Sequence, residues 1–192
     1  MSLKSFLIIL VGVFFFSCES QIDCIEEEYN MDTTYVMIED RKGNRYISEK
    51  GFIKNGERHG KWFMMHKSEK KIVQETNYYK GKKHGPFFGF SLTDGSISYF
   101  GFYNHGKLNN SYVNFDEEKR VQEYNFWVEG KLHGVSKLWN DLGGLRHLNN
   151  YDMGKLHGEQ IDFADNGDTL RIRVYDQNKL IEERMFKETM EY

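Results

Sequence analysis

The chain has little of several things that would each point to a different class of protein. It holds two cysteines in 192 residues, Cys18 and Cys24, both near the N-terminus. No disulfide framework can staple the bulk of such a chain. Two cysteines 6 residues apart with no nearby histidine make no zinc site. Pro86 is the one proline and Ala164 the one alanine. Scarce alanine beside 15 Phe, 12 Tyr and 3 Trp favours strands over helices. No apolar run is long enough to span a bilayer: residues 6–16 form an unbroken apolar-or-Gly stretch of 11 residues. Basic residues are not in excess, with 26 Lys and Arg against 29 Asp and Glu. An isoelectric point near 6.2 argues against a nucleic-acid binder.

Signatures of catalysis are missing too. Ser91 follows Gly89-Phe90, but Leu92-Thr93 come next, so the second glycine of a nucleophile elbow is absent. Gly143-Gly144 suits a hairpin turn rather than a phosphate-binding loop. Glu117-Glu118 and Glu182-Glu183 are sequence neighbours, which point to opposite faces of a strand and form no catalytic dyad. No enzymatic activity, catalytic residue, metal or cofactor is expected.

What the chain does have is a period. A marker residue recurs as Gly56, Gly81, Gly106, Gly130, Gly154 and Asn178, at intervals of 25, 25, 24, 24 and 24 residues. Four copies extend it to G-x-x-H-G, with His59, His84, His133 and His157. A fixed period of this length means a repeat array, whose units bury their apolar faces against one another. Seven and nine residues after the markers come Phe63 and Met65, Phe88 and Phe90, Val113 and Phe115, Lys137 and Trp139, Ile161 and Phe163. Positions two apart share one face of a strand. A second turn sits mid-unit, at Glu69-Lys70, Asp94-Gly95, Glu118-Lys119, Gly143-Gly144 and Asn166-Gly167. Each unit reads strand, turn, strand, turn. The expected fold is all-β: an elongated antiparallel meander of tandem hairpins. Pairing is expected to begin at residues 33–39 and 45–54, around a turn at residues 40–44, and to end at residues 180–187. The marker glycines are read as turn residues at positive φ. Asn178 in place of a marker, and Asn110 in place of the motif's second glycine, preserve that backbone conformation.

The segments Tyr78 to Gly85, Trp127 to Gly134 and Tyr151 to Gly158 show tyrosine or tryptophan, two residues, Gly-Lys-x-His-Gly and then a strand. This pattern resembles the MORN repeat in its bacterial variant form, over about residues 50–180. The resemblance implies a long sheet of consecutive hairpins. Many bacterial members carry an antitoxin-like label, so it also implies an alternative role, neutralisation of a partner toxin.

Lys4 followed by the short apolar run and Phe15-Phe16-Ser17-Cys18 resembles a bacterial lipoprotein signal, in which Cys18 is acylated. An ordinary secreted protein and an uncleaved anchor are the other readings. The organisation expected is a signal peptide over residues 1–17, a lipid-anchored acidic tether over 18–30 and the repeat domain over 31–192. The location expected is the cell envelope, as an outer-membrane lipoprotein facing the periplasm or the exterior.

Three sets of residues are candidates for function. The motif histidines recur one unit apart, roughly 10 Å, too far for two of them to share an ion, so they are read as caps of turn backbone. Lys82, Lys107, Lys131, Lys155 and Lys179 follow the markers. They form either an electrostatic strip for an anionic partner or solvated turn lysines that discourage edge pairing. Tyr78, Tyr103, Trp127, Tyr151 and Tyr175 precede the markers by three residues. They are either core or a groove that stacks on sugars or clamps an extended peptide. The function expected is a non-enzymatic envelope lipoprotein whose sheet binds or scaffolds another protein, a lipid or a glycan.

Overall fold

The computed structural model describes residues 32–39 and 45–187. The leader, Cys18, the tether and the first expected turn lie outside them. The strands are β1 (Asp32–Glu39), β2 (Arg45–Lys54), β3 (Glu57–Met65), β4 (Ile72–Tyr79), β5 (Lys82–Phe90), β6 (Ile97–Asn104), β7 (Lys107–Leu108) and β8 (Asn110–Phe115). They continue as β9 (Val121–Val128), β10 (Lys131–Leu132), β11 (Gly134–Trp139), β12 (Leu145–Asp152), β13 (Lys155–Leu156), β14 (Gly158–Phe163), β15 (Thr169–Asp176) and β16 (Lys179–Met185). All 16 join one antiparallel sheet in meander order, with β1 and β16 at its two edges. The all-β meander expected from the period is the fold.

One series of turns is narrow. The markers sit at φ +80° (Gly56), +73° (Gly81), +89° (Gly106), +78° (Gly130), +89° (Gly154) and +73° (Asn178). The residue before each is left-handed as well: Asn55, Lys80, His105, Glu129, Met153 and Gln177. Two consecutive positive φ values define a type I′ hairpin turn, whose twist matches the flanking strands. The sequence reading assigned positive φ to the markers and to Asn110 at the motif's second glycine, but not to the residue before the marker. Lys, Glu and Met carry no turn signal, so the first turn position was not legible. Gly60, Gly85, Asn110, Gly134 and Gly158 are left-handed too, at φ +64° to +90°. Each marks a bulge against the preceding strand, and pairing with the following strand begins there.

The other series of turns is wide, and it explains the change of period. In the first two units the closing bonds run from His66 N–H to Lys71 C=O and from Ser91 N–H to Ser96 C=O. In the next three they run from Asp116 to Arg120, Asn140 to Gly144 and Ala164 to Asp168. The 25-residue intervals thus place their extra residue in this turn. Lys70, Gly95, Lys119, Gly143 and Gly167 hold the left-handed position there.

The two faces of the sheet differ. By register, Phe63, Glu75, Phe88, Phe100, Val113, Tyr124, Lys137, Leu148, Ile161 and Ile172 follow one another across it, the mainly apolar face read from the sequence, broken by Glu75 and Lys137. The most buried apolar side chains lie on the other face: Trp62 and Phe87, each 4% exposed. They occupy the sixth position after the marker, which no apolar pattern revealed because later units place Ser136 and Gln160 there. Their burial depends on strand glycines. A Cβ on Gly101 would stand 2.8 Å from the Phe87 ring and 3.2 Å from Tyr112. Gly51 and Gly89 are covered in the same way by Trp62 and Tyr99. Aromatic rings lying flat on glycine let a single layer shelter apolar surface without a second one.

Candidate functional site

The narrow-turn rim is a laced backbone structure. From the second marker on, the marker N–H donates to the unit before it: Gly81 to Arg58 C=O at 3.0 Å, Gly106 to Lys83 at 2.7 Å, Gly130 to Leu108 at 2.8 Å, Gly154 to Leu132 at 2.7 Å and Asn178 to Leu156 at 2.9 Å. The motif histidine position adds a second rung. His105 N–H meets His84 Nδ1 at 3.5 Å, and Met153 N–H meets His133 Nδ1 at 3.4 Å. In the unit that replaces histidine, Asn109 Oδ1 accepts from Glu129 N–H at 3.2 Å. Each acceptor reaches the first turn position of the following unit, which is the capping role expected of these residues. His157 lies 3.3 Å from Asp176, and the His59 ring packs 5.6 Å from Tyr79. Among the described residues, no cluster of His, Cys, Asp and Glu is arranged to hold a metal ion.

Lys82, Lys107, Lys131, Lys155 and Lys179 all stand exposed on this rim. Acidic groups interleave with them: Lys107 pairs with Glu129 at 3.0 Å, and Asp152 lies 3.4 Å from His133. The rim therefore alternates charge. Opposite it, the wide turns carry Asp94, Asp116, Glu118 and Asp141 around an open depression. Lys119 and Arg120 already pair with Asp94, Asp116 and Glu118. Hydrogen bonds from Ser96 hold the Asp94 carboxyl well below the usual range.

The Tyr/Trp column lies on the same face as Trp62 and Phe87. Tyr78, Tyr103, Trp127, Tyr151 and Tyr175 are all half-buried. Tyr103 packs on Phe87 at 4.7 Å between ring centres, and Tyr78 meets Trp62 edge-on at 6.1 Å. Arg58 stacks over Trp62 at 4.0 Å and bonds Glu49. In the first three units the column thus belongs to a packed aromatic cluster.

Beyond Tyr112 the face changes character. Alternation along the paired strands puts Asn125, Ser136, Asn149, Gln160 and Arg173 in one row, beside Trp127, Tyr151 and Tyr175. Asp162 anchors this polar half. It takes hydrogen bonds from His147 Nδ1 at 2.8 Å, Arg171 Nε at 2.8 Å and the Arg173 guanidinium at 3.0 Å. Burial opposes ionisation of Asp162, but His147, Arg171 and Arg173 outweigh it and hold the carboxyl below its ordinary value. Trp127 Nε1, Gln160 Oε1 and Arg173 Nε are buried polar atoms without a hydrogen-bond partner, and all three lie in this half. Sequence reasoning found the aromatic column but not the amide and arginine row, since no motif marks it.

No protein-family model and no curated protein matches the chain. Among solved structures, a crystal structure of an S. aureus TarM mutant in complex with fondaparinux, alpha-GlcNAc-glycerol and UDP is similar at 14% identity and a TM-score of 0.33. That match covers 60% of this chain and 19% of the TarM chain.

Proposed function

We propose that this is a non-enzymatic cell-envelope lipoprotein, anchored through Cys18, whose repeat sheet binds or scaffolds a partner on its aromatic-polar face. The observation that carries the reading is the polar half of that face. Half-buried Trp127, Tyr151 and Tyr175 lie beside a row of amide and guanidinium side chains. No other described element covers them. A single sheet that used this face only for its own stability would fill it with apolar side chains, as the first three units do. Aromatic rings beside fixed amides instead suit recognition of a partner rich in hydrogen-bonding groups. The Ser17-Cys18 leader supports the envelope location.

The test is capture from solubilised membranes by the wild-type protein and by the Trp127→Ala/Tyr151→Ala variant. The variant is expected to keep the β-type circular dichroism spectrum and to lose the partner. Equal capture by both would contradict the reading.

A further inference from the structure

The spacing and chemistry of the polar half narrow the class of its ligand. Trp127, Tyr151 and Tyr175 lie on β9, β12 and β15, with β11 and β14 between them in the sheet. Successive rings are therefore two strand spacings apart, about 10 Å. All three are half-buried, and among the described residues no aromatic ring or cation stacks on them. Tyr78 and Tyr103, by contrast, pack on Trp62 and Phe87. Leu132 is paired with Trp127 and Leu156 with Tyr151, so the stretch between the rings is apolar. The row beside the rings is neutral from Asn125 to Gln160. The side chains of Ser136 and Asn149 and the hydroxyls of Tyr151 and Tyr175 have no hydrogen-bond partner among the described residues. These groups include donors and acceptors alike. At the end of the row Arg171 and Arg173 are held by Asp162. Glu123, which accepts from Asn125 Nδ2 at 2.7 Å, lies in the next row.

We propose that this row binds a neutral, extended β-(1→4)-linked glycan lying across the strands, an inference that rests on the aromatic-polar face being the binding face. Pyranose units in such a chain have flat apolar faces rimmed by equatorial hydroxyls. Successive units turn over, so alternate units present the same face, and two units span about one ring spacing. Each ring then stacks on every second unit, and the three rings together take about five units. Sugar hydroxyls donate and accept, and so match the unpartnered groups of Ser136 and Asn149 beside the rings. Extended peptides fit less well. In β conformation about three residues cover 10 Å, and residues three apart point to opposite faces. A polyproline II segment repeats every three residues, about 9.3 Å, which suits the spacing. Its prolines carry carbonyl acceptors and no donors, so they leave the Asn149 oxygen unmatched. The pairing of Arg171 and Arg173 with Asp162 disfavours an anionic chain.

The experiment is calorimetric titration of the full chain, in mild detergent, with β-(1→4)-linked glucose and N-acetylglucosamine oligomers from dimer to hexamer. Maltohexaose and decaproline serve as ligands of other shape. Affinity for at least one β-linked series is expected to rise up to the pentamer and then level off. Tyr151→Ala, which removes the central ring, should weaken pentamer binding by about tenfold or more, and Tyr151→Phe much less, because a phenyl ring still stacks. Asn149→Ala should weaken it severalfold, while Lys137→Ala, on the opposite face, should leave it unchanged. Raising the salt should alter affinity by less than about twofold, since no charge is neutralised on binding. Circular dichroism checks that each variant is folded. Failure of both β-linked hexamers to bind, equal affinity for dimer and hexamer, equal affinity for maltohexaose, preference for decaproline, or equal weakening by the two Tyr151 variants would each overturn the proposal. If the glycans fail while membrane capture still needs Trp127 and Tyr151, the binding face stands with a partner of another class. If capture is insensitive to both residues, the reading of the face itself falls.

Discussion

At the scale of the residue, the marker glycines are required by backbone conformation and not by crowding. A Cβ on Gly130 would meet Lys107 at 3.6 Å, an ordinary contact, while its φ of +78° is hostile to branched side chains. Gly130→Val is therefore expected to cost about 1–3 kcal/mol, and Gly130→Asn much less, because Asn178 holds the equivalent place. Hydrogen exchange on the two variants checks this, with loss of protection centred on β9 to β12. Asp162 gives a second test. Its folded-state pKa is depressed, so its contribution to stability is full above the unfolded value, near pH 4, and is lost as pH falls through the folded value. Asp162→Asn should destabilise by about 1–3 kcal/mol at pH 7, by stranding His147, Arg171 and Arg173. The wild-type and variant stability curves should converge below pH 4 in acid titrations of chemical denaturation. Gly130 was legible in the sequence because glycine has one common reason to recur in a strand repeat. Asp162 was not, because its three partners lie on two other strands, β12 and β15, and no local motif joins them.

At the scale of the element, the hairpin is the unit, and its two turns tolerate change unequally. The wide turn already exists at two lengths within the chain, closed by His66 and Lys71 in one unit and by Asp116 and Arg120 in another. Replacing residues 67–70 by the sequence of residues 117–119 is therefore expected to leave the melting temperature within about 3 °C of wild type, consistent with a small surface-loop change. Inserting a residue beside Gly130 in the narrow turn should unfold the neighbouring strands. Such an insertion breaks both the type I′ geometry and the Gly130 bond to Leu108. Thermal melts of the two loop variants distinguish these outcomes. The strands themselves were legible from alternation, since a period of two survives wherever one face is apolar. The more buried face was not. It rests on pairs such as Phe87 across from Gly101, in which only one member is apolar and large.

At the scale of the whole molecule, a single layer leaves two faces and two edges, and their chemistry divides the work. Aromatic rings on glycines hold the first units together, rungs between turns tie unit to unit, and no other described element covers the polar half of the same face. The proposed anchor rests on the leader. Cys18→Ser should release the protein to the soluble fraction or leave the leader uncleaved, because stable attachment needs more than one acyl chain. Unchanged fractionation with normal processing would contradict the anchor.

The central claim is that the aromatic-polar face is covered by a partner in the envelope, and cysteine labelling tests it most directly. Asn149→Cys, on that face, and Lys137→Cys, on the opposite one, would each be placed in a Cys24→Ser chain. Maleimide labelling would be compared between the native envelope and the purified protein. The account predicts that residue 149 is protected in the envelope and reactive once purified, while residue 137 reacts alike in both. Equal labelling of residue 149 in the two settings would contradict it.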